Sequence, residues 1–187
     1  MAVHSRVYAR ATEADLLAAA EQVLRLADSD FTFSFPPGAL HARRNWLVYA
    51  VIFAQVGQDH WRILAKQAAG GVRLVVRISR TAGSILPTPV PVTGGETGVA
   101  AASVAMPGEE IWWSAPYDLF WSRLDYLLGV SDRWISCREA DTLFAAGHNE
   151  QFTGVLCGIT AEERFPPGVE PPTKKADQGP QRPTLMR

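Results

Sequence analysis

Residues 46–80 read WLVYAVIFAQVGQDHWRILAKQAAGGVRLVVRISR, and how this stretch divides decides the fold. Its first eleven residues are apolar, β-branched and aromatic, a composition that suits a buried strand better than a helix. Gly57-Gln58-Asp59 then reads as a turn. Beyond it, residues 61–67 and 72–80 flank Ala68-Ala69-Gly70-Gly71, a second turn signal between two strand-like runs. On this reading 46–80 is a three-stranded antiparallel meander. A helix over 60–69 is the rival, because Leu64, Ala65, Lys66, Gln67 and two alanines are good helix formers.

Upstream, Thr12 with Asp15 resembles a capping box, and Leu16, Leu17, Ala20, Val23, Leu24 and Ala27 recur at helical spacing, which predicts a helix over 13–27. Phe31, Phe33 and Phe35 alternate with Thr32 and Ser34 before Pro36-Pro37-Gly38, the pattern of a short half-buried strand. Downstream, prolines at 87, 89 and 91 precede a glycine-rich run at 94–98, so 81–98 is expected as a long surface loop. Two more short strands are expected over 99–106 and 110–113. Ser114, Pro116 and Gly129 then bracket a helix whose apolar stripe is Tyr117, Phe120, Trp121, Leu124 and Leu128. Ser136 with Glu139 is a second capping box, opening a helix over 137–146, and 152–159 reads as a returning strand.

These elements add up to an α+β fold: an antiparallel sheet, the 46–80 meander plus short strands, with about three helices packed on one face. Residues 1–165 are expected as a single domain. The last 22 residues, 166–187, hold six prolines and almost no large apolar side chains, so they are expected as a disordered tail.

With 47% hydrophobic and 20% charged residues, the chain has the composition of an ordinary globular protein, which excludes a coiled-coil rod or wholesale disorder. No apolar stretch follows the first ten residues as a signal-peptide core, and the longest apolar run is about half of the ~20 residues a membrane span needs. No membrane association and a cytoplasmic location are the expectation, with Cys137 and Cys157 as free thiols.

The net charge of −1 hides a division. Residues 41–80 carry seven cations against one acid, Asp59, whereas 101–150 carry three arginines against eight acids. If 60–80 is a hairpin, period-two alternation puts Arg62 and Lys66 on one face of its first strand. Arg73 and Arg77 share a face of the second, with Val72, Leu74, Val76 and Ile78 on the other. Such a four-cation ribbon suits a phosphate backbone, and nucleic acid or an acidic protein is the partner it would take. A solvated outer face is the plainer alternative, since a half-buried antiparallel strand needs a polar side anyway.

Two other features carry chemistry. Trp112 and Trp113 are adjacent, and in extended chain adjacent residues point to opposite faces, so both cannot enter one core. One exposed ring there, with the 81–98 loop, offers a second reading as a protein–protein adaptor. Cys137 follows the Ser136 cap, where free backbone N–H groups favour a thiolate, with Asp141 one turn on and His148 just beyond the helix. A small cysteine-dependent enzyme is therefore the third reading. It is opposed by the charge of Asp141 and by a Cys–His spacing that matches no nucleophile signature. The four histidines are scattered away from any cysteine pair, so no metal site is expected, and the glycine-rich run at 94–98 lacks a phosphate loop's lysine, so no cofactor is expected either.

Overall fold

The structure, a computed structural model, describes residues 4–50, 53–91, 97–144, 154–158 and 163–170. In chain order these form β1 (His4–Tyr8), α1 (Glu13–Ala27), β2 (Thr32–Ser34), β3 (Ala39–Ala50), β4 (Phe53–Ala68), β5 (Gly71–Pro91), β6 (Thr97–Glu110), α2 (Ala115–Leu127), α3 (Cys137–Phe144) and α4 (Gly154–Cys157). The six strands make one antiparallel sheet in the order β2-β3-β4-β5-β1, with β6 also paired to β5. The fold is α+β, as the sequence pattern indicated.

The organising element is β5, 21 residues long and so roughly 70 Å if extended. One edge pairs with β4. The other is shared: β1 takes residues 72–76 and β6 takes 79–91. Tyr117 bridges the junction, its hydroxyl accepting from the Ile78 N–H at 3.1 Å and donating to the Ile111 carbonyl at 3.0 Å. Burial raises its pKa above the ordinary phenol value, which keeps it a donor.

Alternation decides which face is covered. Trp61, Ile63 and Ala65 on β4 and Val72, Leu74, Val76 and Ile78 on β5 are buried, while Arg62, Lys66, Arg73 and Arg77 between them are exposed. The buried set meets Leu16, Ala20, Val23 and Leu24 of α1 and Phe120, Trp121 and Leu124 of α2 in one core. Residues 60–69 are therefore strand, and the helical propensity of that segment is overridden by the pairing of β4 with β3 and β5.

Several boundaries differ from expectation. The run 46–56 is not one strand, because β3 ends at Ala50 and β4 starts at Phe53, paired to each other. The chain reverses inside an apolar run that carries no glycine or proline. Gly57-Gln58-Asp59 is not a turn but lies within β4. Glycine is needed there for another reason: a Cβ at 57 would lie 2.2 Å from Cζ2 of the Trp46 indole. The turn at 68–71 is where it was expected, closed by the pair Ala68↔Gly71, with Gly70 at φ +85° and Gly71 at φ +141°.

Residues 81–91 and 97–98 are strand and not surface loop, and 92–96 lie outside the described residues. β5 continues to Pro91, and Pro87, Pro89 and Pro91 sit opposite Ala101, Val99 and Thr97 of β6. Among the described residues β4 pairs with β5 only as far as Ile85, so Pro87, Pro89 and Pro91 lie where β5 is paired on one edge, the setting in which a strand tolerates proline. The strand expected over 99–106 lies within β6, which runs on to Glu110 with an irregularity opposite Arg80 and Ala82, and of the strand expected over 110–113 only Glu110 is strand. The returning strand expected at 152–159 is a single helical turn over 154–157.

Helix starts were the most legible part. α1 has the boundaries that its apolar spacing gives and the reciprocal Thr12–Asp15 box. Ser136 and Glu139 make the same box before α3. Before α2 the Ser114 hydroxyl makes no cap, and Pro116 alone marks the first turn. Of the expected tail, 171–187 lies outside the described residues, and Pro166 at its start is buried.

Candidate nucleic-acid interface

Cross-strand partners in an antiparallel sheet share a face, their Cβ atoms ~4.5–5.5 Å apart. On the uncovered face of this sheet Arg62 stands opposite Arg77, and Lys66 opposite Arg73. All four cations singled out in the sequence are thus brought together, as two like-charge pairs. Leu64 and Val75, half-buried and opposite each other, fill the step between the pairs.

β3 widens the patch. His41 lies opposite Arg62, and exposed Arg43 opposite His60. The charge is felt locally, since burial first, and then the fields of Arg43 and Arg62, hold the His60 imidazole below its ordinary pKa, against the opposing pull of Asp59. At neutral pH His60 is therefore neutral, and the face carries five cations. Among the described residues, none of Arg43, Arg62, Lys66, Arg73 and Arg77 forms an ion pair. Glu110, opposite Ser79, brings a carboxylate to the margin of this face.

Arg43, His41 and His60 escaped the sequence reading because the strand was started at 46. The missed signal is period two over 40–45, where Leu40, Ala42 and Arg44 are buried and 43 and 45 are exposed. An inward arginine disguised it. Arg44 is received by Asp59 at 2.7 Å, Asp28 at 3.0 Å and the Gly154 carbonyl at 2.6 Å, and Arg80 joins the same Asp59 at 2.6 Å. Asp59, expected at a solvated turn, is fully buried in this network.

The other sequence candidates fall elsewhere. Trp112 is 69% exposed, and Trp113 packs partly buried against the core, edge to face with its neighbour at 6.0 Å. The pair therefore splits as adjacent residues of an extended segment must. Cys137 is not a free thiol: it is bonded to Cys157. His148 and the Asp141 side chain lie outside the described residues. The described residues hold no nucleophile–base pair around Cys137. Beside the helices, an open groove of about 870 Å³ runs along β1 and α1. Within it, Asp125 takes Arg6 and the Tyr8 hydroxyl at 2.7 Å each, and Asp15 caps α1, while Arg10 forms no ion pair among the described residues.

No family model, curated protein or solved structure matches the chain, so the functional argument rests on its own chemistry. Among the described residues no helix is long and apolar enough to cross a membrane.

Proposed function

We propose that this protein is a non-enzymatic binding protein that holds the phosphate backbone of nucleic acid on the open face of its sheet. One observation carries the reading: Arg62–Arg77 and Lys66–Arg73 are directly opposed like charges. Such pairs destabilise a sheet, and with no ion pair to offset them among the described residues an anion from outside would match them. The face spans several strands at ~4.8 Å each and is too broad for a ~12 Å major groove, so it suits backbone contact without base-edge reading.

Binding should accordingly be strongly salt-dependent and weakly sequence-dependent. Five contacts give a slope of log K against log salt of about −3.5 to −4.5, from ~0.7–0.9 counterions released per contact. Arg73→Thr with Arg77→Thr should flatten it by about 1.5–2, read by fluorescence anisotropy on labelled oligonucleotides. Absence of binding at low salt to any single- or double-stranded probe would sink the reading and leave an acidic protein as the partner of this face.

The cytoplasm is the proposed place of action. Persistent disulfides belong to oxidising compartments, so in the cytoplasm the Cys137–Cys157 pair would be held reduced.

The exposed Trp112 supports a second reading, a protein-docking edge. It is separable by mutation. Trp112→Ser should leave nucleic-acid affinity unchanged, and a loss of affinity would transfer the site to the aromatic edge.

A further inference from the structure

The disulfide lies beside a buried guanidinium that also meets the Glu163 carboxylate. Cys137 opens α3, and its sulfur lies 3.2 Å from Nη2 of Arg123, which projects from α2. The Arg123 side chain is fully buried, and its position does not depend on the disulfide. Its Nε donates to the Ile135 carbonyl at 2.9 Å, and Glu163 receives Nη2. Its Nη1 is buried and has no hydrogen-bond partner among the described residues. A buried donor left unmatched beside a sulfur is unusual, because such groups are almost always hydrogen-bonded.

Burial pulls the Arg123 pKa down to about 10, and Glu163 pushes it up, so the guanidinium stays charged at neutral pH. Among the described residues, Glu163 is an opposing charge that meets Cys137 from a packed segment, accepting the Cys137 N–H at 3.0 and 3.1 Å, and Asp141 stands one turn along α3. On the helix itself, Glu139 is engaged by Ser136 and Arg133.

We propose that Cys137–Cys157 is a reversible thiol–disulfide exchange site, open to a dithiol reductant, whose reduced form keeps Cys137 as a thiolate paired with Arg123. The exchange balances as follows. One thiolate of the dithiol attacks a sulfur of the bond, and the S–S electron pair leaves on the other sulfur. The second thiolate of the dithiol then attacks the mixed disulfide and departs as its own cyclic disulfide. Two electrons pass to the protein. One proton of the dithiol ends on Cys157, and the other goes to solvent because Cys137 remains ionised. An environment that stabilises the reduced partner makes a disulfide easier to reduce.

The test is the pH profile of alkylation. The full chain is reduced with dithiothreitol, freed of it, and treated with iodoacetamide from pH 5 to 9. Modification at each cysteine is followed by mass, with the denatured chain as reference. Cys137 in the native chain should react with a midpoint below about 7.5, and at pH 6 about five times faster than in the denatured chain. That factor comes from a pKa near 7 against ~8.5, discounted for the lower nucleophilicity of a more acidic thiol. Glu163→Gln removes the opposing charge while keeping a hydrogen-bonding side chain, and should lower the midpoint further. A native profile that coincides with the denatured one overturns the proposal, as does a midpoint that Glu163→Gln leaves in place.

Discussion

Arginine does two opposite things in this sheet. On the covered face, Arg44 and Arg80 converge on the buried Asp59, and Arg44 also reaches Asp28 and two carbonyls of α4. On the open face, Arg43, Arg62, Arg73 and Arg77 stand with Lys66 and have no carboxylate among the described residues. The two sets share the same strands, β3, β4 and β5, and differ only in the parity of their positions. Burial forces a charge to find a partner inside the protein. Exposure removes that need, so the cations of the open face are not fixed by pairing within the fold.

The largest expected effect comes from breaking the buried set. Asp59→Ala strands Arg44 and Arg80 without their carboxylate, and should lower the unfolding free energy by about 3–5 kcal/mol in urea titration. Arg62→Thr on the neighbouring position should stay within about 0.5 kcal/mol. Equal losses at the two sites would erase the distinction between the faces.

Next in size is the disulfide beside another buried guanidinium, Arg123. It closes a segment of sequence separation 20, and Cys157→Ala should lower stability by about 2–4 kcal/mol under oxidising conditions. In the presence of a dithiol the wild type and this variant should converge. A gap that survives reduction would assign the effect to packing of Cys157 and not to the bond.

The smallest expected effect concerns His60. Its folded pKa lies below the ordinary value near 6.5, so the folded state holds fewer protons than the unfolded one. Its contribution to stability is therefore fully present above pH 6.5 and is lost as pH falls from there through the lowered folded value. Polyanion binding should move the other way, strengthening as His60 gains charge. His60→Gln should flatten both trends, and a wild type whose affinity is flat between pH 7 and 5 would place His60 outside the site.

How much of this could be read in the sequence depended on the range of the forces involved. Local chemistry was legible: the capping boxes at Thr12 and Ser136, the glycine turn at 70–71, and the parity that gathers Arg62, Lys66, Arg73 and Arg77. Long-range pairing was not. The prolines at 87–91 look like a loop until β6 pairs with their strand, and Gly57 looks like a turn until Trp46 is laid across it. Arg44 masked the start of β3 because its partners, Asp28, Asp59 and the α4 carbonyls, come from three separate segments. The Cys137–Cys157 bond has the same character, joining residues whose separation carries no motif.

The central claim is that the open-face cations serve a partner at the expense of the sheet. The most direct measurement takes one variant, Arg73→Thr with Arg77→Thr, and determines both its unfolding free energy and its affinity for an oligonucleotide at fixed low salt. Relief of the two like-charge pairs, with threonine's preference for strands, should leave the variant as stable as the wild type or more stable by up to about 1 kcal/mol per pair. Its affinity should fall at the same time. A variant that is less stable by more than about 1 kcal/mol, or that binds as well as the wild type, would contradict the account.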